Sequence, residues 1–354
     1  MNRFSKIYSP LISWYLTNSR SVYMPWRKSK NPYNIWVSEI MLQQTQIERA
    51  IPYYERWIKK FPSIKSVALS NESSILKMWA GLGYYKRALN FHRACKILND
   101  TNGGRFPESI DSFIDLPGVG DYISSAVFSI AFNEPVPVYD VNVNRFISRL
   151  LSIDTTKVSA KNKAKKYLRE LVSRSKNASE LNQAMMDFGR YICTISGPSC
   201  DRCPVSGECI ALDLGTTSKY PIKTKKKPKP HYKVVIGFIW NGDKLLINKR
   251  PTDKMLGGMW EFPGGKLKDG ENPKLGLERE IMEEFNINVK IEEPLDRFTH
   301  SYSHFSIDIE GYNCKYLSGE IVHEDNMPYR WIRPKQLTSL PFPRASEKFF
   351  EKLI

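Results

Sequence analysis

Apolar positions recur at helical spacing through the first two hundred or so residues and at strand spacing further on. Residues 5–17 place Ile7, Leu11, Trp14 and Tyr15 on one face of an amphipathic helix. Pro25-Trp26-Arg27 interrupts the pattern. The spacing then predicts helices over 35–47, 50–59, 63–69, 72–80 and 85–98, broken at Pro62, Asn71 and Gly81-Leu82-Gly83. A short helix over 109–116 and a longer one over 121–132 flank Pro117-Gly118-Val119-Gly120. Pro135 and Pro137 force an extended approach to Asp140. Helices resume over 142–151, 157–172 and 179–192, the last with Leu181, Ala184, Met185 and Phe188 facing inward. Short loops between many helices make this a mostly α domain.

From Gly215 to Pro230 lysines and prolines replace the apolar residues, as in an extended charged linker. The period then changes. Strand-like runs over 233–240 and 244–249 flank Asn241-Gly242, a hairpin signal. A charged helix over 273–285 follows, and then strands over 297–304 and 305–312. The second domain is therefore α+β.

Charge narrows the partners. The 354 residues carry 53 Lys+Arg against 37 Asp+Glu, a formal +16. Such a field draws polyanions, without separating DNA, RNA and a membrane surface. The first residues lack the apolar core of a signal peptide, and no apolar run nears the roughly 20 residues of a membrane span. The chain is expected to act in the cytoplasm, associated with the nucleoid, as a monomer.

Several groups then carry candidate chemistry. Two glycines in the turn Gly118-Val119-Gly120 allow positive φ and close approach of a ligand. The helix start behind them offers free N–H groups to a phosphate; packing alone is the competing reading. Glu39 sits beside an apolar helix face, where an unpaired carboxylate is costly. Asp140 lies at a helix start and can serve simply as its cap. Gly81-Leu82-Gly83-Tyr84-Tyr85 is either a helix connection or a wedge for an unstacked base. Cys193, Cys200, Cys203 and Cys209 fall within 17 residues, which reads as metal ligation, with zinc or an iron–sulfur cluster both open and the uneven spacing favouring the cluster. Glu280, Glu283 and Glu284 share one helix face and repel one another unless a divalent cation joins them or Arg279 and Lys274 balance them.

Together the hairpin Leu116–Gly120, Asp140 and the cysteine run make residues 1–213 resemble the helix-hairpin-helix DNA glycosylase superfamily. Pro25-Trp26-Arg27, Ser38–Thr45, Gly81–Tyr85 and Asn182–Asp187 narrow the resemblance to the MutY-type adenine glycosylases. The resemblance implies a [4Fe–4S] cluster on the four cysteines. It implies Glu39 as the acid that protonates adenine and Asp140 as the anion that stabilises the sugar cation, with Tyr122 and Asn142 orienting them. Trp26, Arg27 and Gln183 would line the adenine pocket; Gln43, Gln44, Thr45, Leu82, Tyr84, Gly118, Val119 and Gly120 would contact the DNA. The superfamily's lyases carry a lysine two residues after the hairpin's last glycine. This chain has Tyr122 there, so the resemblance implies a monofunctional glycosylase acting on adenine opposite 8-oxoguanine or G in double-stranded DNA. Val141 departs from the glycine usual after the aspartate.

Residues 232–354, after a linker over 214–231, resemble the family's Nudix-like domain, in which Tyr302-Ser303-His304 would contact 8-oxoguanine. A Nudix box from Gly265 to Ile287 is intact but for Asn286. It raises an alternative, additional or principal activity: hydrolysis of oxidised nucleoside triphosphates with Mg²⁺ held by Glu280, Glu283 and Glu284. A DNA-lesion binder without catalysis and a glycosylase for mismatched thymine are further alternatives; Glu39 disfavours both.

Overall fold

The computed structural model describes residues 3–18, 23–222, 228–251, 254–302, 305–323 and 327–354. The chain divides into two compact units, Met1–Leu69 with Arg93–Lys226, and Ser70–His92 with Lys227–Ile354. Residues 70–92, which the helical pattern alone groups with 1–213, thus fall in the second unit.

The helices of the first two hundred or so residues are α1 (Arg3–Asn18), α2 (Pro32–Leu42), α3 (Ile47–Lys60), α4 (Ile64–Ala68), α5 (Glu72–Trp79), α6 (Lys86–Asn102), α7 (Ile110–Ile114), α8 (Asp121–Phe132), α9 (Val141–Leu150), α10 (Val158–Ser173), α11 (Ala178–Tyr191) and α12 (Ile210–Asp213). Their starts follow from polar residues that take up free backbone N–H groups. Asn31 caps α2, Ser63 closes a capping box on α4, Ser109 caps α7 and Asn177 caps α11.

Two helices in the first unit are apolar on nearly every side. In α2 every residue from Ile35 to Met41 is buried, and in α8 only Ser125 interrupts the buried run Ile123–Ile130. Such helices must be central, and they pack on each other. A second core gathers Ile7, Leu11, Phe146, Leu168, Leu181 and Phe188 from α1, α9, α10 and α11. Helix α2 stops at Leu42, short of the Ile47 limit read from sequence. Gln44 has φ +59, a left-handed conformation that ends the helix. Gln43, Gln44 and Thr45 therefore lie on a turn.

The second unit holds a seven-stranded sheet: β1 (His231–Asn241), β2 (Lys244–Lys249), β3 (Trp260–Glu261), β4 (Gly264–Lys266), β5 (Asn288–Ser301), β6 (Ser306–Ser318) and β7 (Tyr329–Ile332), in the path order β3-β2-β1-β6-β5, with β4 on β1 and β7 on β2. All pairings are antiparallel except β1 with β6, which run parallel from His231 opposite Ser306 to Trp240 opposite Lys315. Helix α13 (Pro273–Phe285) lays Leu277, Ile281 and Phe285 against Val235, Ile239 and Leu246. Phe342, Phe349 and Phe350 pack with Phe238 and Phe262 in a separate core. Two cores explain why β1 is buried continuously from Val235 to Ile239 rather than alternating. No helix among the described residues is long and apolar enough to cross a membrane.

Candidate active site

The packing of α2 on α8 brings Glu39 to Tyr122. Glu39 is 4% exposed, and its Oε2 accepts a 2.6 Å hydrogen bond from the Tyr122 hydroxyl. Burial raises its pKa most; the Tyr122 bond and the Arg27 charge oppose the rise, and the Asp140 charge adds to it. Arg27 is held rigidly. It donates to Gln183 Oε1 at 2.7 Å and Tyr15 Oη at 3.2 Å, and pairs with Asp187 at 3.0 Å. A buried charge with this many partners keeps one position.

Asp140 caps α9. One carboxylate oxygen accepts from the Val143 N–H at 2.6 Å and the other from Asn142 Nδ2 at 2.8 Å. Burial raises its pKa, and these two donors together with the Arg145 charge oppose that rise only in part. Arg145 donates to Asn142 Oδ1 at 2.9 Å, to the Cys193 carbonyl at 2.7 Å and to the Gly189 carbonyl. Gly189 permits the approach: a Cβ there would lie 2.6 Å from the Asn142 carbonyl oxygen.

A groove of about 520 Å³ is lined by Tyr122, Asp140, Val141, Asn142, Gln43 and Gln44, among others. One wall thus joins the two orienting residues, one of the two carboxylates and two of the expected DNA contacts. Trp26, Arg27 and Gln183 do not line it. Trp26 is 4% exposed and packs edge-on to Tyr54, with ring centres 5.3 Å apart.

The hairpin between α7 and α8 turns tightly. Leu116 N–H donates to Phe113, Val119 N–H donates to Leu116, and Gly118 has φ +81. No side chain caps α8, and a Cβ added at Gly120 would meet nothing within 4 Å. The helix start is open to an anion.

In the second unit the Gly81–Tyr85 turn differs from expectation at one residue. Leu82 is 6% exposed, buried with its neighbours, and is not a free tip. Tyr84 is only half-buried and has φ +51, with the Arg87 guanidinium 5.2 Å from its ring centre. A tyrosine held left-handed is strained, as at many ligand-contacting turns. Tyr302 packs with His300 edge-on and Phe305 tilted against its ring, and burial pushes its hydroxyl pKa up to about 12. Ser303 and His304 lie outside the described residues.

Cys193, Cys200, Cys203 and Cys209 are all free thiols and line one small cavity with Phe146, Phe188, Ile192 and Val205. Arg149, 2% exposed, donates to Cys193 Sγ at 3.4 Å and to the Thr194 and Ile195 carbonyls. Four thiols around one apolar cavity, with a cation to offset thiolate charge, fit an iron–sulfur cluster. Among the described residues no three His, Cys, Asp or Glu side chains are gathered closely enough to hold a single metal ion.

On α13, Arg279 supplies the balance between carboxylates. It bonds Glu271 at 2.8 and 3.0 Å, Glu280 at 2.8 Å and Glu283 at 3.0 Å, while Lys274 pairs instead with Glu293. Glu284 stands apart: burial and the nearby Glu261 and Glu280 push its pKa up to about 8.

Arg145, Arg149, Asp187 and Tyr15 carry no site role in the sequence pattern. The first two had a signal, being arginines four apart that point inward from α9 just after Asp140.

Comparison with known proteins extends these observations. Residues 37–174 match the HhH-GPD superfamily of base excision DNA repair proteins, and residues 235–352 match the NUDIX domain. An adenine DNA glycosylase from Buchnera aphidicola of Acyrthosiphon pisum is 32% identical over 347 residues, covering 98% of this chain and 97% of that one. The adenine DNA glycosylase from the Buchnera of Schizaphis graminum is 36% identical, covering 86% of each. Among solved structures, a thermostable thymine-DNA glycosylase aligns with a TM-score of 0.54 at 27% identity, over 60% of this chain and 98% of that one.

Proposed function

The chain belongs to the adenine DNA glycosylase family, and from that premise we propose that its substrate is adenine mispaired with 8-oxoguanine or G in double-stranded DNA, and that it has no lyase step. It is a hydrolase acting on N-glycosyl bonds. We assign residues 1–213 to the glycosylase domain, 214–231 to a basic linker and 232–354 to recognition of 8-oxoguanine.

The observation that carries the mechanism is Glu39: buried, bonded to one phenol, its pKa raised. A carboxyl in that state holds its proton to higher pH than an ordinary glutamate and can deliver it to N7 of a flipped adenine. The C–N bond breaks and the sugar becomes an oxocarbenium ion. Asp140 is held by the Val143 N–H and Asn142, which favour its ionised form, so it supplies the anion beneath that cation. Water then adds at C1′, giving free adenine and an abasic site.

Tyr122 supports the absence of a lyase step, because a phenol bonded to Glu39 offers no amine for a Schiff base. Cys193, Cys200, Cys203 and Cys209 would hold the [4Fe–4S] cluster. When bound, the cluster would tie the loop that carries them, whose Cys193 carbonyl takes a hydrogen bond from Arg145. Tyr84 and Gln44 are the candidates to fill the gap left by the flipped base. The Nudix hydrolase reading is the alternative: Arg279 pairs with Glu280 and Glu283, but a single guanidinium offsets only one of those carboxylate charges.

Two measurements test the reading. Glu39→Gln should lower the single-turnover rate of adenine release by about 10²-fold or more. Borohydride added to the wild-type reaction should trap no covalent protein–DNA adduct. An unchanged rate in the variant, or a trapped adduct, would refute the corresponding step.

A further inference from the structure

Helix α10 is the most basic element of the first unit, and the catalytic reading leaves it without a task. Its inward face is Ala164, Leu168, Leu171 and Val172, all buried. Outside that face Lys161, Lys165 and Arg169 recur at i, i+4 and i+8. A rise of 1.5 Å per residue spaces them about 6 Å apart along one stripe.

Two grooves meet at this stripe. The first is the 520 Å³ groove of Tyr122, Asp140 and Asn142, and Lys161 is the one Lys or Arg among its lining residues. The second, of about 480 Å³, is lined by Lys161, Lys165 and Arg169 and by Asp121, Tyr122, Ser124 and Ser125 at the start of α8. Lys161, Tyr122 and Tyr139 line both. The cation stripe therefore begins at the catalytic aspartate's groove and continues beside the hairpin helix, whose open N-terminus also suits an anion. Two carboxylates, Asp111 and Asp121, line the second groove as well. Asp121 approaches Lys165 only at 3.9 Å, with its side chain 85% exposed, a pair too weak to commit the lysine.

We propose that Lys161, Lys165 and Arg169 form a phosphate track for the DNA strand that carries the target adenine, with Lys161 on the phosphate nearest Asp140. The inference rests on the glycosylase reading and adds a second hold on the backbone, separate from the hairpin amides. Such contacts set register without reading sequence. The track also gives Lys161, an amine in the catalytic groove, a partner other than the sugar aldehyde.

The test is the salt dependence of binding to a duplex with 2′-fluoro-adenosine, which resists cleavage, opposite 8-oxoguanine. Removing one cation from a phosphate should lower the slope of log Kd against log salt by about 0.9, so the triple variant Lys161→Gln, Lys165→Gln, Arg169→Gln should lower it by roughly 2.7. Lys161→Gln alone should lower it by about 0.9 and is read if the triple variant does not fold. The comparison variant Lys163→Gln, Lys166→Gln, Arg174→Gln removes the same charge from residues that line neither groove, and it should keep the wild-type slope. An unchanged slope in the track variants, or an equal decrease in the comparison variant, overturns the proposal. Adenine release by the wild type is scored separately and bears only on the glycosylase reading.

Discussion

Glu39 and Asp140 are both carboxyls lifted by burial, and their partners separate their roles. Glu39 accepts one hydrogen bond from a side chain, the Tyr122 hydroxyl, which with the Arg27 charge offsets only part of its desolvation. Asp140 accepts from a backbone N–H and an amide, with Arg145 close by, and these partners favour its ionised form against the rise in pKa that burial causes. An acid that must be protonated loses activity as pH rises through its raised pKa. The single-turnover rate of adenine release should therefore fall on the alkaline side, with a midpoint above the ordinary glutamate value. A pH–rate profile from about 5 to 9 checks this, and a rate that rises with pH would reverse the assignment of the two residues. At this scale much was legible. Glu39 stood out as a carboxylate on an apolar face, and Asp140 followed two prolines at a helix start. The Arg27–Asp187 pair was not legible, because 160 residues separate its members and only folding brings them together.

At the scale of elements, α9 and α11 meet where Gly189 lies under the Asn142 carbonyl. Gly189→Ala should force these helices apart by several tenths of an ångström or more and displace Asn142 from Asp140. Adenine release should drop at least tenfold, with a lowered melting temperature, since overpacking typically costs about 1–3 kcal/mol. Full activity in that variant would mean the contact is soft. In the second unit α13 carries a different strain. The pKa of Glu284 is raised to about 8 in the folded chain, against an ordinary value of 4.5. Folding therefore favours the protonated form, and the stability this brings is lost as pH rises from about 4.5 towards 8 and beyond. Glu284→Gln should flatten the dependence of the melting temperature on pH across that window; an unchanged slope would contradict it. The helices were readable from spacing and caps, and so was the hairpin at Asn241-Gly242. The end of α2 was not, since nothing in the local pattern marks Gln44 as left-handed. Nor was the parallel pairing of β1 with β6, because alternation describes a strand's faces and not its neighbour's direction.

At the scale of the whole chain, the two compact units each gather one set of candidate functions. The first unit holds Glu39, Asp140, the open hairpin and the four cysteines. The second holds the Tyr84 turn and Tyr302. Counting residues 70–92 with the second unit puts both aromatic candidates for contact with DNA bases, Tyr84 and Tyr302, in the same compact body. Helical periodicity could not reveal that, since α5 and α6 repeat every third or fourth residue like their neighbours in sequence. The central claim is that an acid and an anion in the first unit release adenine while the opposite base decides which adenine is taken. The most direct measurement is single-turnover release by the wild-type protein from duplexes with A opposite 8-oxoguanine, A opposite G and A opposite T, each read with and without alkali. Release is expected from the first two, with strand breakage only after alkali and an intact A opposite T duplex. Equal release from all three duplexes, or strand breakage without alkali, would contradict the central claim.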